Sequence, residues 1–228
     1  MKNISRPEKD LCRDPLKDFE TETLSDGTLA VVAYRGAQES VIVPEGVTVI
    51  GPRAFEHCRA LKEILLPDGL TAIGERAFMN CVHLKSLSIP NGVKNICSLT
   101  FANCCSLETI SLSENMKEIG DFSFINCFSL KSIIVPDGVT RIGERAFDHC
   151  KSLEHVIFPA GLKVLGDRTF LFCWELKTVT YLGTKEQWAS VRVEDNHPFV
   201  RYIPPCFFAA IRCTDGEIAS YFRRPLSV

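Results

Sequence analysis

Phenylalanine, cysteine and leucine each return along this chain at one fixed interval of 23 residues. Phe55, Phe78, Phe101, Phe124, Phe147 and Phe170 keep it. So do Cys58, Cys81, Cys104, Cys127, Cys150 and Cys173, and Leu61, Leu84, Leu107, Leu130, Leu153 and Leu176. Ile50, Ile73, Ile96, Ile119 and Ile142 follow the same spacing, with Leu165 in the sixth place. No unit between Gly46 and Tyr181 carries an insertion. A unit this short cannot bury its own apolar side, but stacked copies share a continuous core, so the interval predicts a solenoid.

The unit GLTAIGERAFMNCVHLKSLSIPN, residues 69–91, shows the parts. Leu84, Leu87 and Ile89 follow L-x-x-L-x-L, whose closing alternation marks a short strand with one buried face. Pro90-Asn91-Gly92 then turns the chain, with Pro presetting its backbone angle and Gly expected at positive φ. Asn115 stands where one unit lacks that glycine, which fits a left-handed position. Thr71-Ala72-Ile73 reads as a second short strand closed by Gly74, and Ala77 to Cys81 as a single tight helical turn. Rungs are expected roughly 4.8 Å apart. Phe would then stack on Phe with offset rings, and Cys would fill a small buried gap. Asn80, Asn103 and Asn126, in one column with His57 and His149, are expected to be buried and to bond backbone groups at a turn.

Ile73-Gly74-Glu75-Arg76-Ala77-Phe78-Met79-Asn80-Cys81, followed by Leu84, Leu87, Ile89 and Pro90, resembles the BspA-like family of bacterial leucine-rich repeats, the surface-antigen type. The match runs from about residue 42 to residue 181. Tyr181-Leu182-Gly183-Thr184, Gln187-Trp188 and Cys213-Thr214-Asp215-Gly216 resemble its flanks. Cys97 replaces the usual Gly, Ser113 the usual Pro and Asn115 the usual Gly; Trp174 and Leu182 depart in the last unit. The resemblance implies a mainly-β leucine-rich-repeat solenoid, a right-handed superhelix with short parallel strands and single-turn helical segments. Members are described as adhesive or are uncharacterised, which implies binding without naming a ligand.

The ends need covers, because an open solenoid exposes its terminal rungs. Residues 1–18 are polar and charge-rich and are expected to be mobile. Residues 19–43 read as an N-terminal β cap with a hairpin turn at Ser25-Asp26-Gly27. The six repeats occupy 44–181. Residues 182–228 read as a C-terminal cap: a capping box at Thr184 to Gln187 opening a short helix, Trp188 closing the core, and a hairpin from Ile211 to Ile218.

With 26 basic against 28 acidic side chains, the chain lacks the positive footprint of a nucleic-acid binder. A 46% apolar, 24% charged composition excludes a disordered chain. No run of about 18 apolar residues predicts a membrane span. The 11 cysteines cannot all pair within one chain. The N-terminus shows no apolar signal-peptide core, so a cytoplasmic setting with reduced thiols is expected, or a secreted or surface one if a leader is removed.

Catalytic and metal chemistry find little support in the residues. His57-Cys58 and His149-Cys150 place a base next to a thiol in sequence, but both pairs sit at ladder positions where a buried structural thiol is expected. No C-x-x-C offers zinc a ligand pair. Stacked cysteines would hold their Cβ vectors parallel, a poor disulfide geometry, which leaves Cys12, Cys206 and Cys213 as better candidates for a terminal bridge. Glu75, Glu144 and Asp167, with Arg76, Arg145 and Arg168, read as a solvated face. No G-x-S-x-G, P-loop or dinucleotide fingerprint is present. No enzyme activity, cofactor or metal is expected.

One surface remains, the outward positions of the L-x-x-L-x-L strand. Glu63, Leu65, Ser86, Ser88, Thr109, Ser111, Ser132, Ile134, His155 and Ile157 are the candidate ligand-binding residues. They form a face of small hydroxyls with apolar spots, bordered by Lys62, Lys85, Glu108, Lys131, Glu154 and Lys177. Repeat proteins bind along such surfaces. Hydroxyls also simply solvate a parallel sheet, so two functions stay open: recognition of a protein or glycan, or a structural spacer in a larger envelope protein or complex.

Overall fold

The computed structural model describes residues 16–194 and 210–218. A hairpin of β1 (Phe19–Thr23) and β2 (Leu29–Tyr34) comes first. Seven rungs follow, each with one strand of a first set: β3 (Ser40–Ile42), β5 (Glu63–Leu65), β7 (Ser86–Ser88), β9 (Thr109–Ser111), β11 (Ser132–Ile134), β13 (His155–Phe158) and β15 (Thr178–Tyr181). Between them run β4 (Val47–Ile50), β6 (Ala72–Ile73), β8 (Asn95–Ile96), β10 (Glu118–Ile119), β12 (Arg141–Ile142) and β14 (Val164–Leu165). Helix α1 (Lys185–Ala189), β16 (Arg192–Val193), β17 (Ile211–Cys213) and β18 (Gly216–Ile218) end the chain as described. The architecture is the mainly-β parallel solenoid that the interval predicts.

Equivalent residues pair across rungs, Ser132 with His155 and His155 with Thr178, so each register step is one repeat. Phe55 to Phe170 form a continuous stack, with neighbouring centroids 5.1 to 5.6 Å apart and planes within 14° of parallel. That separation exceeds the strand spacing because the rings are offset, which aromatic quadrupoles favour. Tyr34 extends the stack at the N-terminal end, 5.2 Å from Phe55. It lies 21 residues before Phe55 and so falls outside the repeat interval. At the other end Trp188 is 1% exposed against Tyr181 and Phe158. Thr184 and Gln187 form the reciprocal capping box that starts α1.

Three local expectations are corrected. The glycines of the Pro-x-Gly turns are not generally left-handed, since among the described glycines only Gly27, Gly46 and Gly216 have positive φ, and Asn115 does not. Gly138 is needed for room instead: a Cβ there would lie 2.6 Å from the Met116 carbonyl oxygen of the rung below. Among the described residues the left-handed non-glycine positions are Arg76, Asn80 and their equivalents, twelve in all. They interrupt the segment expected to be a helical turn. It is a chain of tight turns, in which Ala77, Met79 and Cys81 donate to the residue three before. The amides of Arg76, Phe78 and Asn80 point along the axis to Ser98, Thr100 and Ala102 of the next rung.

The third correction concerns the asparagine column, which is half-buried and bonds side chain to side chain. Asn126 Nδ2 donates to Asn103 Oδ1 at 2.7 Å, and Asn103 Nδ2 to Asn80 Oδ1 at 2.8 Å. An amide carries both donor and acceptor, so identical copies stack into a chain.

Candidate functional site

The ten candidate residues all lie on the first set of strands and alternate with buried partners. Ile64, Leu87, Ile133 and Val156 point into the core between them. The face is not one continuous sheet, however. Strands β3-β5-β7-β9 form one hydrogen-bonded ladder and β11-β13-β15-β17-β18 another. Glu63, Leu65, Ser86, Ser88, Thr109 and Ser111 therefore belong to the first ladder, and Ser132, Ile134, His155 and Ile157 to the second. At the interruption Ile110 and Leu112 are half-buried, where their equivalents on most rungs are buried.

The apolar spots on the face are strongly exposed: Leu65 is 54% and Ile134 66% accessible. Ile42 pairs with Leu65 in register and is equally exposed. Sequence reasoning missed this rung because it lacks the Phe and Cys of the repeat. The signal that finds it is Ser40-Val41-Ile42 standing 23 residues before Glu63-Ile64-Leu65. Ile157 continues the spot made by Ile134. His155 is held by its neighbours: Nδ1 lies 2.7 Å from the Thr178 hydroxyl, and Nε2 3.8 Å from Glu154.

The two rims of the face differ in charge. Before the strands, Lys62 pairs with Glu39 at 2.7 Å, Lys131 with Glu108 at 3.2 Å and Lys177 with Glu154 at 2.6 Å. Each pair links adjacent rungs, and the lysine lowers the carboxyl of Glu39 and of Glu154, chiefly by the hydrogen bond. After the strands, the middle residues of the Pro-x-Gly turns and of the equivalent Ser113-Glu114-Asn115 turn put Glu45, Asp68, Asn91, Glu114 and Asp137 in an exposed row. Among the described residues these four carboxylates have no cation within ion-pair distance.

The other residues with possible chemistry lie elsewhere. Cys81, Cys104, Cys127, Cys150 and Cys173 are buried. Burial pushes the thiols of Cys81, Cys104, Cys127 and Cys150 far up, and that of the half-buried Cys58 up to about 11. Cys58 and His57 line a cleft of about 360 Å³ beside Tyr34 and Arg35, but a thiol held protonated is a poor nucleophile there. Cys12 and Cys206 lie outside the described residues, and Cys213 is a free thiol. Asp167, expected on a solvated face, is buried, with Arg168 Nε 3.9 Å away. Among the described residues no three His, Cys, Asp or Glu side chains are grouped to hold a metal ion, and no helix is long and apolar enough to cross a membrane.

The BspA type leucine-rich repeat region matches the chain in six copies, over residues 33–154 and 71–190. The chain belongs to this family. Among solved structures, this family member is similar to a T. pallidum leucine-rich repeat protein, TpLRR, with 30% identity and a TM-score of 0.71. That likeness covers 73% of this chain and 80% of the other. A Bacteroides ovatus leucine-rich repeat protein gives 31% identity and a TM-score of 0.71, over 85% of this chain and 51% of that one. The chain thus spans about half the Bacteroides ovatus protein. The pneumococcal vaccine antigen PcpA shares the fold at 17% identity and a TM-score of 0.50, over 87% of this chain and 43% of that one. None of the curated proteins matches the chain.

Proposed function

We propose that this BspA-type repeat chain is a non-enzymatic interaction module that binds a protein or glycan through the strand face. The observation that carries the reading is the exposure of large apolar side chains, Ile134 above all, on a face otherwise built of small hydroxyls. A sheet face with only a solvating role gains nothing from such exposure, whereas a contact surface gains apolar area removed from water. Such modules typically mediate binding. The test is to screen glycan and protein arrays with the wild type and with Ile134→Lys, His155→Glu and Ile157→Lys combined. Any hit of the wild type should be lost in the variant while its circular dichroism and melting stay unchanged. A hit that survives the triple change would place binding elsewhere.

A second reading, a spacer or assembly element within a larger envelope protein, is favoured by the Bacteroides ovatus relative being about twice the matched length. It predicts concentration-dependent assembly by light scattering and no array hit.

A further inference from the structure

The two rims of the strand face differ in a way that selects among ligands. We infer that the strand face takes an extended, basic peptide segment carrying two apolar anchors, a proposal that rests on the strand-face reading above. On the rim before the strands, three ion pairs between successive rungs neutralise all the charges except Lys85. On the rim after them, Glu45, Asp68, Glu114 and Asp137 stand exposed in one row, with no cation within ion-pair distance among the described residues although the Lys117 ammonium lies over the Gly138 turn, and rungs a strand spacing apart keep their fields additive. Four unpaired carboxylates against Lys85 leave the border of the face negative on balance among the described residues. Charge complementarity therefore calls for a cationic occupant, and a neutral or acidic glycan supplies none.

The apolar spots set the length of the occupant. Ile42 with Leu65 and Ile134 with Ile157 make two patches whose centres are four rungs apart, about 19 Å at the strand spacing. An extended peptide rises about 3.4 Å per residue, so two same-face anchors about six residues apart reach both patches. The residues between them that face the sheet meet Ser86, Ser88, Thr109 and Ser111, whose hydroxyls accept from guanidinium groups. Arginines at those positions also have the length to reach the acidic rim.

The experiment uses the whole chain and two synthetic probes, Ile-Thr-Arg-Thr-Arg-Thr-Ile and its counterpart with Glu for Arg, read by fluorescence anisotropy at low and high salt. The Arg peptide should bind, weaken with salt, and weaken about tenfold when Asp68→Asn, Glu114→Gln and Asp137→Asn are combined. The Glu peptide should not bind. Equal binding of both peptides, no effect of the rim changes, or no binding of the Arg peptide overturns the inference. The reading beneath it is tested separately by Ile134→Ser with Ile157→Ser. If those changes abolish binding of both peptides alike, the face is the site and only the basic preference falls. If Arg-peptide binding ignores them, the strand-face reading falls as well. All these positions are exposed or half-exposed, so folding is not at stake.

Discussion

The thiol of Cys150 donates to the main-chain carbonyl of Phe124 in the rung below, at 3.3 Å. That carbonyl already accepts from the amide of Cys127 in its own rung, at 3.2 Å. The same bond recurs from Cys81 to Phe55, Cys104 to Phe78, Cys127 to Phe101 and Cys173 to Phe147. The cysteine column is therefore a second set of hydrogen bonds between rungs as well as filler.

Replacing Cys127 by Ala should remove one such bond and leave a small void between fully buried neighbours. The expected loss is about 1–2 kcal/mol in urea unfolding, since neither the bond nor the void is recovered by water. An unchanged midpoint would mean that the thiol contributes packing only of a kind that alanine replaces.

Thiol chemistry should sort the described cysteines by burial. Cys97 and Cys105, half-exposed, should label with iodoacetamide in the folded protein, while Cys104, Cys127 and Cys150 should label only on unfolding. For Cys58, whose thiol burial pushes up to about 11, the rate should keep rising with pH through neutrality and well beyond. Mass-resolved labelling against pH reads both orders.

Cys97 marks an open seam. Gly74, Gly120, Gly143 and Gly166 each donate from their amide to the rung below at 2.8 Å, while among the described residues β6 and β8 share no such bond. A Cβ on Gly74 would sit 2.5 Å from the Pro52 nitrogen, so a side chain in this column forces neighbouring backbones apart. Cys97→Gly should close the seam, seen as slower hydrogen exchange at residue 97. Gly120→Ala should do the reverse, because its Cβ would meet the Ile96 oxygen at 2.8 Å. Unchanged exchange in both would separate the seam from side-chain size.

Asp148 is 2% exposed in its column, with His149 Nδ1 2.8 Å and Arg145 Nε 4.0 Å away. Burial raises its carboxyl above the ordinary value, although His149 and Arg145 pull the other way. The folded state thus holds this proton more tightly than the unfolded chain. The contribution of Asp148 is most favourable below its unfolded value and declines as pH rises through the raised folded one. Asp148→Asn should flatten that decline without loss of stability at neutral pH, measured by thermal melts across the acid range. A steeper decline in the variant would show that the ion pairs outweigh burial.

Much of this was legible in the chain because a repeat repeats its environment. Phe78 and Cys81 recur at 23 residues since each rung presents the same slot to the next, so periodicity alone reports the ladders, the strands and the solenoid. The capping box at Thr184 and Gln187 is legible for a different reason, being a local bond between residues three apart. The Ile42 rung was harder to see, because a terminal rung packs against a hairpin and has no need of the full signature. Tyr34, which completes the phenylalanine stack, belongs to no interval at all.

The sequence by itself determined the rung, its length, its buried columns and the face that each strand turns outward, because these follow from side-chain alternation and a fixed period. Only the tertiary structure decided what happens between rungs. Whether a glycine serves φ or clearance depends on the carbonyl beneath it, as at Gly138 and Met116. Whether asparagines bond the backbone or one another depends on how closely Asn80, Asn103 and Asn126 stack. Which charges cancel and which stay open likewise depends on neighbours 23 residues away in the chain and one strand spacing away in space.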